Sequence, residues 1–354
     1  NNFNIIVNTN FKQIILNNKP VAKFIFIISL LISLTYSSTY QLFHQYDLTQ
    51  PKGLNDSLSY IKMANGDYGV LSHYRYRFII PKTVSIIKPI IEKVTSSPDK
   101  QIKISFYLIN FSVTVISAYL LFCLIENFGL PIYFSIIGSS IFLSSRTVIA
   151  LTSTPLVDSL AVFATIFMIY GTLSTKKNLI IFLLPFIALT KDSSLPLLLI
   201  PLLSNSFRIL PYYVSLGISF AGVLCSRHII DNFPSALNTS STGLNNYLSN
   251  ILGHFQYFTD HLKELFTLKG FHDFQHGFAF FLLMGLFGYI INQKEKIIHN
   301  TNVLNILVPL GFFISLWSGN MGRLFFHYAF PAVIIYTMTF MWWITKIISK
   351  NYQL

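Results

Sequence analysis

Ten apolar segments recur along this chain, at about 24–42, 102–125, 131–150, 156–173, 178–190, 194–205, 209–229, 277–292, 303–318 and 325–345. A helix needs about 20 residues to cross the hydrocarbon core of a bilayer, and most of these segments come close. The expected fold is an all-α integral membrane protein of about ten transmembrane helices, one domain spanning 1–354. Charged residues make up only 11% of the chain, against about 25% in a soluble domain, which rules out a single solvated core. The net charge of +12 suits a chain bordered by anionic membrane lipid and is not by itself a nucleic-acid signal. No nucleic-acid partner is expected. The first apolar segment lacks a small-residue cleavage site before the next polar stretch, so it is expected to stay as a span and not to leave as a signal peptide. Cys123 and Cys225 both lie in apolar runs. The topology puts them near opposite faces, so no disulfide is expected.

Segments 178–190 and 194–205 are too short to cross alone. Fusing them into one span would place Lys191 and Asp192 near the bilayer centre, at about 2.5–3.5 kcal/mol each. The distribution of basic residues decides between the two topologies. With ten spans and an inside N-terminus, Lys12, Lys19, Lys23, Lys176, Lys177, Arg208, Lys294, Lys296, Lys346 and Lys350 are all cytoplasmic. Short outer loops then hold only Arg146, Lys191 and Arg323. Fusion would put five of the basic residues on the wrong side, so two short helices are preferred. Their Lys191–Asp192 turn then lies below the outer surface, and a sunken charged turn calls for a polar cavity.

Two long outer loops remain, 43–101 and 230–276. In the first, Phe78, Ile79, Ile80, Val84, Ile87 and Ile91 recur at near-helical spacing with Lys82, Lys88 and Lys93 between them. That is the pattern of an amphipathic helix in the membrane interface. In the second, Tyr247, Leu248, Ile251, Leu252, Phe255 and Phe258 form a similar stripe, and 238–242 is a Ser-rich loop tip. His272 and His276 stand at i and i+4, but the glutamate of an HExxH zinc site is absent, so a helix start is expected there.

With the orientation set, Asp56, Arg75, Arg77, Asp158, Lys191, Asp192 and Arg323 all fall at the outer face. Charges far apart in sequence but at one depth are expected of a shared cavity. Each has a plainer alternative. Asp158 would cap its helix, Lys191 and Asp192 would pair with each other, and Arg323 would reach to lipid head groups.

The run Asp56-x-x-x-Tyr60-x-x-Met63-Ala64-x-Gly66, followed by Tyr76-Arg77-Phe78-x-x-Pro81, resembles the first outer loop of bacterial type C glycosyltransferases. Thr154-Pro-Leu-Val-Asp158, Leu189-Thr-Lys-Asp192 and Gly322-Arg-Leu-Phe-Phe-His327 resemble later landmarks, in order, from about residue 24 to 345. The resemblance implies a polytopic enzyme that uses a polyprenyl-phosphate-linked sugar, with a glycan, lipid or protein acceptor and membrane lipid around it. It also implies an active site on the outer face of the bacterial cytoplasmic membrane and Asp56 as the catalytic acidic residue. Many members carry a paired acidic motif here, where this chain has Asn55-Asp56, so a two-carboxylate metal site is not supported within the motif.

The residues fit such chemistry on their own terms. Transfer from a lipid phosphate needs a base for the acceptor hydroxyl, and a partly desolvated carboxylate serves. The leaving phosphate needs positive charge, for which Arg75, Arg77, Lys191, Arg323 and His327 are candidates. Tyr60, Tyr76, Asp158 and Asp192 would line the pocket, and a divalent cation such as Mg or Mn would share the work. The rival class is non-enzymatic: a transporter, a lipid flippase or a structural subunit of a membrane complex. A transporter should show inverted repeats and broken helices near the midplane, and the short pair at 178–205 is the one hint of that.

The topology predicts that, in a cysteine-free background, a cysteine at Ser240 reacts with an impermeant maleimide on whole cells while one at Ser174 does not. The opposite pattern would invert the bundle and remove the shared outer cavity.

Overall fold

A computed structural model describes residues 20–49, 56–174, 176–204, 207–237, 258–270, 272, 277–317 and 321–351. Among these residues every regular element is helical. Asn55, the Ser-rich tip at 238–242, the stripe from Tyr247 to Phe255 and His276 lie outside the described residues. Each of the ten apolar segments coincides with helical structure. The elements are α1 Pro20–Gln45, α2 Asp56–Ala64, α3 Ser72–Arg75, α4 Ile79–Ile91, α5 Pro98–Asn127, α6 Ile132–Ser144, α7 Arg146–Ser153 and α8 Asp158–Leu173. They continue with α9 Lys177–Ala188, a 3₁₀ helix Asp192–Leu203, α10 Leu210–Asp231, α11 Pro234–Leu237, α12 Phe281–Glu295, α13 Asn302–Leu316 and α14 Met321–Asn351.

Span length is reached less often than the sequence led one to expect. Four described helices are long and apolar enough to cross a membrane, and a bent pair raises the number to five. These make the chain a multi-pass membrane protein. The expected span 131–150 is that bent pair, α6 and α7, which meet at 61°. Ser145 causes the break: its backbone is extended, and its side chain accepts the Val148 N–H and caps α7. Segment 194–205 is no α-helix. Pro196 and Pro201 remove two backbone donors, and the stretch winds as a 3₁₀ helix from Asp192 to Leu203.

The direction of the bundle follows from its first contacts. Lys23, near the start of α1, bonds Glu126 at the end of α5 at 2.8 Å. The two helices are therefore antiparallel, and the segment between Gln45 and Pro98 sits at one end of the bundle. The start of α8, the turn between α9 and the 3₁₀ helix, the end of α10 and the start of α14 come to that same end. The 12 residues of α9 rise about 18 Å, well short of a bilayer core of about 30 Å. The charged turn at residues 191–192 separates two short elements.

The last helix is the hub. In its most apolar stretch 89% of residues are buried, against 17% in α1, so α14 is packed on all sides while α1 is packed on one narrow face. Gly285 and Gly288 on α12 allow the closest approach. A Cβ at 285 would lie 2.9 Å from the Val333 carbonyl oxygen, and one at 288 would meet the backbone of Tyr336 still closer. Small residues at such crossings let helix backbones touch within a membrane. In the first loop, Ile80, Val84 and Ile91 of α4 face inward while Ile86 and Ile90 are exposed.

Gly288→Ala is expected to destabilise the folded protein by about 1–3 kcal/mol, the usual range for overpacking, while Gly217→Ala, with open space around it, should not. Thermal unfolding of the detergent-purified protein measures both. Equal midpoints would mean that α12 and α14 do not pack as described.

Candidate anion site at the helix N-termini

Asp56, Asp158 and Asp192 each open a helix, and Arg323 stands in the first turn of α14. Helix N-termini carry partial positive charge and favour anions. The turn before α8 is set by one buried side chain. The amide nitrogen of Asn110 donates to the carbonyls of Thr154 and Leu156 at 3.1 and 3.0 Å, and its oxygen accepts from the Ser159 hydroxyl at 2.6 Å. All three functions of a buried amide are thereby used, and the chain is fixed just where Asp158 enters the bundle.

Asp158 is completely buried. Its Oδ1 takes Lys191 Nζ at 2.5 Å, and its Oδ2 lies 3.7 Å from Arg323 Nη1. The His327 Nε2 is 3.9 Å from Oδ1. Arg323 and His327 are four residues apart, so they share one face of α14. The Arg323 guanidinium also reaches outward, with Nη2 2.8 Å from Asp56 Oδ2. Tyr74 donates its hydroxyl to the other Asp56 oxygen at 3.0 Å. Arg77 donates to the Tyr60 hydroxyl at 3.0 Å and acts electrostatically on Asp158, Lys191 and His327. Asp56, Tyr60, Arg77, Asp158, Lys191, Arg323 and His327 thus form one cluster, drawn from four separate stretches of chain.

Three of the sequence-predicted residues lie elsewhere. Arg75 is buried and pairs with Asp231 at 2.8 Å, and it also donates to the Val70 carbonyl at 2.9 Å. Tyr76 donates to the second Asp231 oxygen at 2.8 Å. Asp192 pairs with Arg227, not with Lys191. The Arg227 guanidinium stacks 4.9 Å over the Tyr76 ring. This second network joins the first loop to the end of α10 and the start of the 3₁₀ helix. Its members hold the loop over the cluster. Asp231 and Arg227 were missed in the sequence. Their signal was their placement four apart at the end of an apolar helix, one turn of a single face.

Burial alone would lift the Asp56 carboxyl. The Arg323 charge, then the hydrogen bonds from Arg323 and Tyr74, outweigh burial and hold it below the usual carboxylate range. The Tyr76 hydroxyl is pushed up to about 12, by burial first and then by its bond to Asp231. Burial likewise pushes the Tyr60 hydroxyl up, so at neutral pH it remains an O–H.

Among the described residues no group of three His, Cys, Asp or Glu side chains comes together to hold a metal. Both carboxylates of the cluster already face cations. Two carboxylates stand against three cationic side chains, Arg77, Lys191 and Arg323, an excess of one positive charge. The cluster suits an anion better than a divalent cation. No family model, no curated protein and no solved structure matches this chain.

Removing one partner of a buried ion pair costs about 3–5 kcal/mol, because the other is left uncompensated. Lys191→Met and Asp158→Asn are each expected to fall in that range by thermal unfolding, and Lys191→Arg to recover part of the loss. Substitutions costing less than about 0.5 kcal/mol would mean a water-filled pocket, where exposed pairs contribute little.

Proposed function

We propose that this chain is an integral-membrane glycosyltransferase. It takes a sugar from a polyprenyl-phosphate donor and passes it to a glycan, lipid or protein acceptor. The reaction runs at the outer face of a bacterial cytoplasmic membrane, with both chain termini in the cytoplasm. One observation carries the proposal: a half-buried carboxylate, Asp56, stands over a buried cluster with an excess of positive charge, at one end of a membrane bundle.

In this scheme Asp56 accepts the proton of the acceptor hydroxyl as its oxygen forms a bond to the anomeric carbon. The bond between that carbon and the phosphate oxygen breaks, and polyprenyl phosphate leaves with the electron pair. The negative charge that builds on the leaving phosphate is met by Arg77, Arg323 and the imidazole of His327. Lys191 is engaged by Asp158 and tunes the field without touching the ligand. The exposed residues of α4, Ile86 and Ile90, would lie along the isoprenoid tail at the interface. No step runs through a metal ion.

Asp56→Asn keeps the shape and most hydrogen bonding of the side chain but removes the base. Loss of a general base costs about 10²–10⁴ in rate, so transfer with purified donor and acceptor should fall by that factor while donor binding persists. Asp67, which accepts the Gly69 N–H in a turn, is the control, and Asp67→Asn should be nearly silent. Wild-type turnover in Asp56→Asn would remove Asp56 from the chemistry.

A further inference from the structure

We infer that Arg323 is a ligand-operated clamp: a lipid phosphate entering between Arg77, His327 and Arg323 draws the guanidinium off Asp56 and frees that carboxylate to accept a proton. The inference rests on Asp56 being the base proposed above.

Arg323 holds two carboxylates from different parts of the chain, Asp56 at 2.8 Å and Asp158 at 3.7 Å. These two contacts differ in access. The side chains of Arg323 and Asp56 are 19% and 20% exposed, whereas Asp158 is fully enclosed. A ligand therefore meets the Arg323–Asp56 pair first and cannot displace Asp158. Beside this pair are two groups with donor capacity to spare. Among the described residues the Arg77 guanidinium makes one hydrogen bond, to Tyr60, and no ion pair, and its Nε is buried without an acceptor. His327 is 1% exposed, and neither of its ring nitrogens has a hydrogen-bond partner. A buried imidazole and a guanidinium edge without acceptors point to a ligand that supplies them.

A phosphate in that position offers Arg323 a planar, bidentate partner, the geometry a guanidinium fits best. The excess positive charge of the cluster is then neutralised by the ligand and no longer directed at Asp56. The groups facing Asp56 are Arg323 from α14, Tyr74 from the first loop and Asp158 from α8. With Arg323 turned away, Tyr74 remains as a donor and Asp158 as a like charge. Both burial and Asp158 then raise the affinity of Asp56 for a proton. Without ligand the base is quenched, so water entering the open site is not activated. With ligand bound, the base is released beside the sugar it serves.

Carbodiimide labels protonated carboxyls, so its rate at Asp56, read by peptide mass spectrometry, reports the clamp without any transfer assay. The full chain in detergent is labelled near pH 6 with dodecyl phosphate, with inorganic phosphate and with dodecanol. Dodecyl phosphate should speed labelling by roughly tenfold for each unit of proton affinity gained and should raise the thermal midpoint. Dodecanol should do neither. Inorganic phosphate acting as well as dodecyl phosphate would identify the ligand as a free phosphate and overturn the lipid assignment. In Arg323→Ala labelling should be fast with or without ligand. Arg323→Lys, which keeps the charge and is the safer variant to fold, should respond to dodecyl phosphate only in part. Unchanged or slower labelling in the wild type, or no shift of the midpoint by either phosphate, would overturn the clamp. Ligand-driven labelling in a protein that transfers no sugar would instead sink the glycosyltransferase proposal alone.

Discussion

The carboxylate of Asp158 is the charge on which the rest of the site depends. It enters the bundle at a turn locked by Asn110 and is enclosed on every side. An isolated charge there would be too costly to keep, so the fold must bring cations to it. It does so from two directions. Lys191 arrives on the turn between two short elements, and Arg323 arrives on the first turn of the most buried helix. The shortness of α9 and the 3₁₀ helix is then explained by what lies at their junction. A full-length span would have carried Lys191 past Asp158. The charged turn and the buried carboxylate account for each other.

A second consequence concerns the first loop. Once Arg323 is held near Asp158, its outer edge is left to bind Asp56, which brings α2 down onto the bundle. The loop is tied again at Arg75, whose buried guanidinium meets Asp231 at the end of α10. Two anchors on two different helices hold the loop, alongside the apolar faces of α2 and α4 that pack into the core. Both are ion pairs in which one partner is at least partly open to solvent, so the desolvation cost is smaller than at Asp158. The inner contact supplies rigidity, and the outer ones leave room for movement. This division of labour is what the proposed change of partner at Arg323 would draw on.

Much of this was legible in the sequence because bilayers impose strict rules. The apolar segments found their helices, and residues 177–203 form two short elements with a charged turn at 191–192. Asp56, Asp158, Lys191 and Arg323, which the charge distribution had grouped, do come together. The failures were of direction and of local winding. Arg75 and Arg77 are two residues apart, and nothing in the pattern says that one turns toward Asp231 and the other toward Tyr60. Asp231 and Arg227 sit at the end of an apolar helix and read as ordinary interface residues. The break at Ser145 was visible only as a small polar step, Ser144-Ser-Arg146, inside an apolar run. Pro196 and Pro201 were in plain view, and each ring clashes with the carbonyl four residues back, which breaks a regular α-helix there.

Depth and charge together narrow the chemistry further than either does alone. A cluster meant only to hold helices together would be expected to balance its charges and satisfy its donors, because each unpaired buried group costs stability. Among the described residues Arg77 adds a cation that makes no ion pair, and His327 presents an imidazole whose ring nitrogens make no hydrogen bond. Both stand beside the one ion pair of the cluster that is open to solvent. The imbalance is therefore located where a ligand can correct it, and its sign calls for an anion. In a chain whose surroundings are lipid, and beside a helix with exposed Ile86 and Ile90, an anion with an apolar tail satisfies the charge and the surface at once. That pairing of requirements is the physical basis for placing a lipid phosphate at this site.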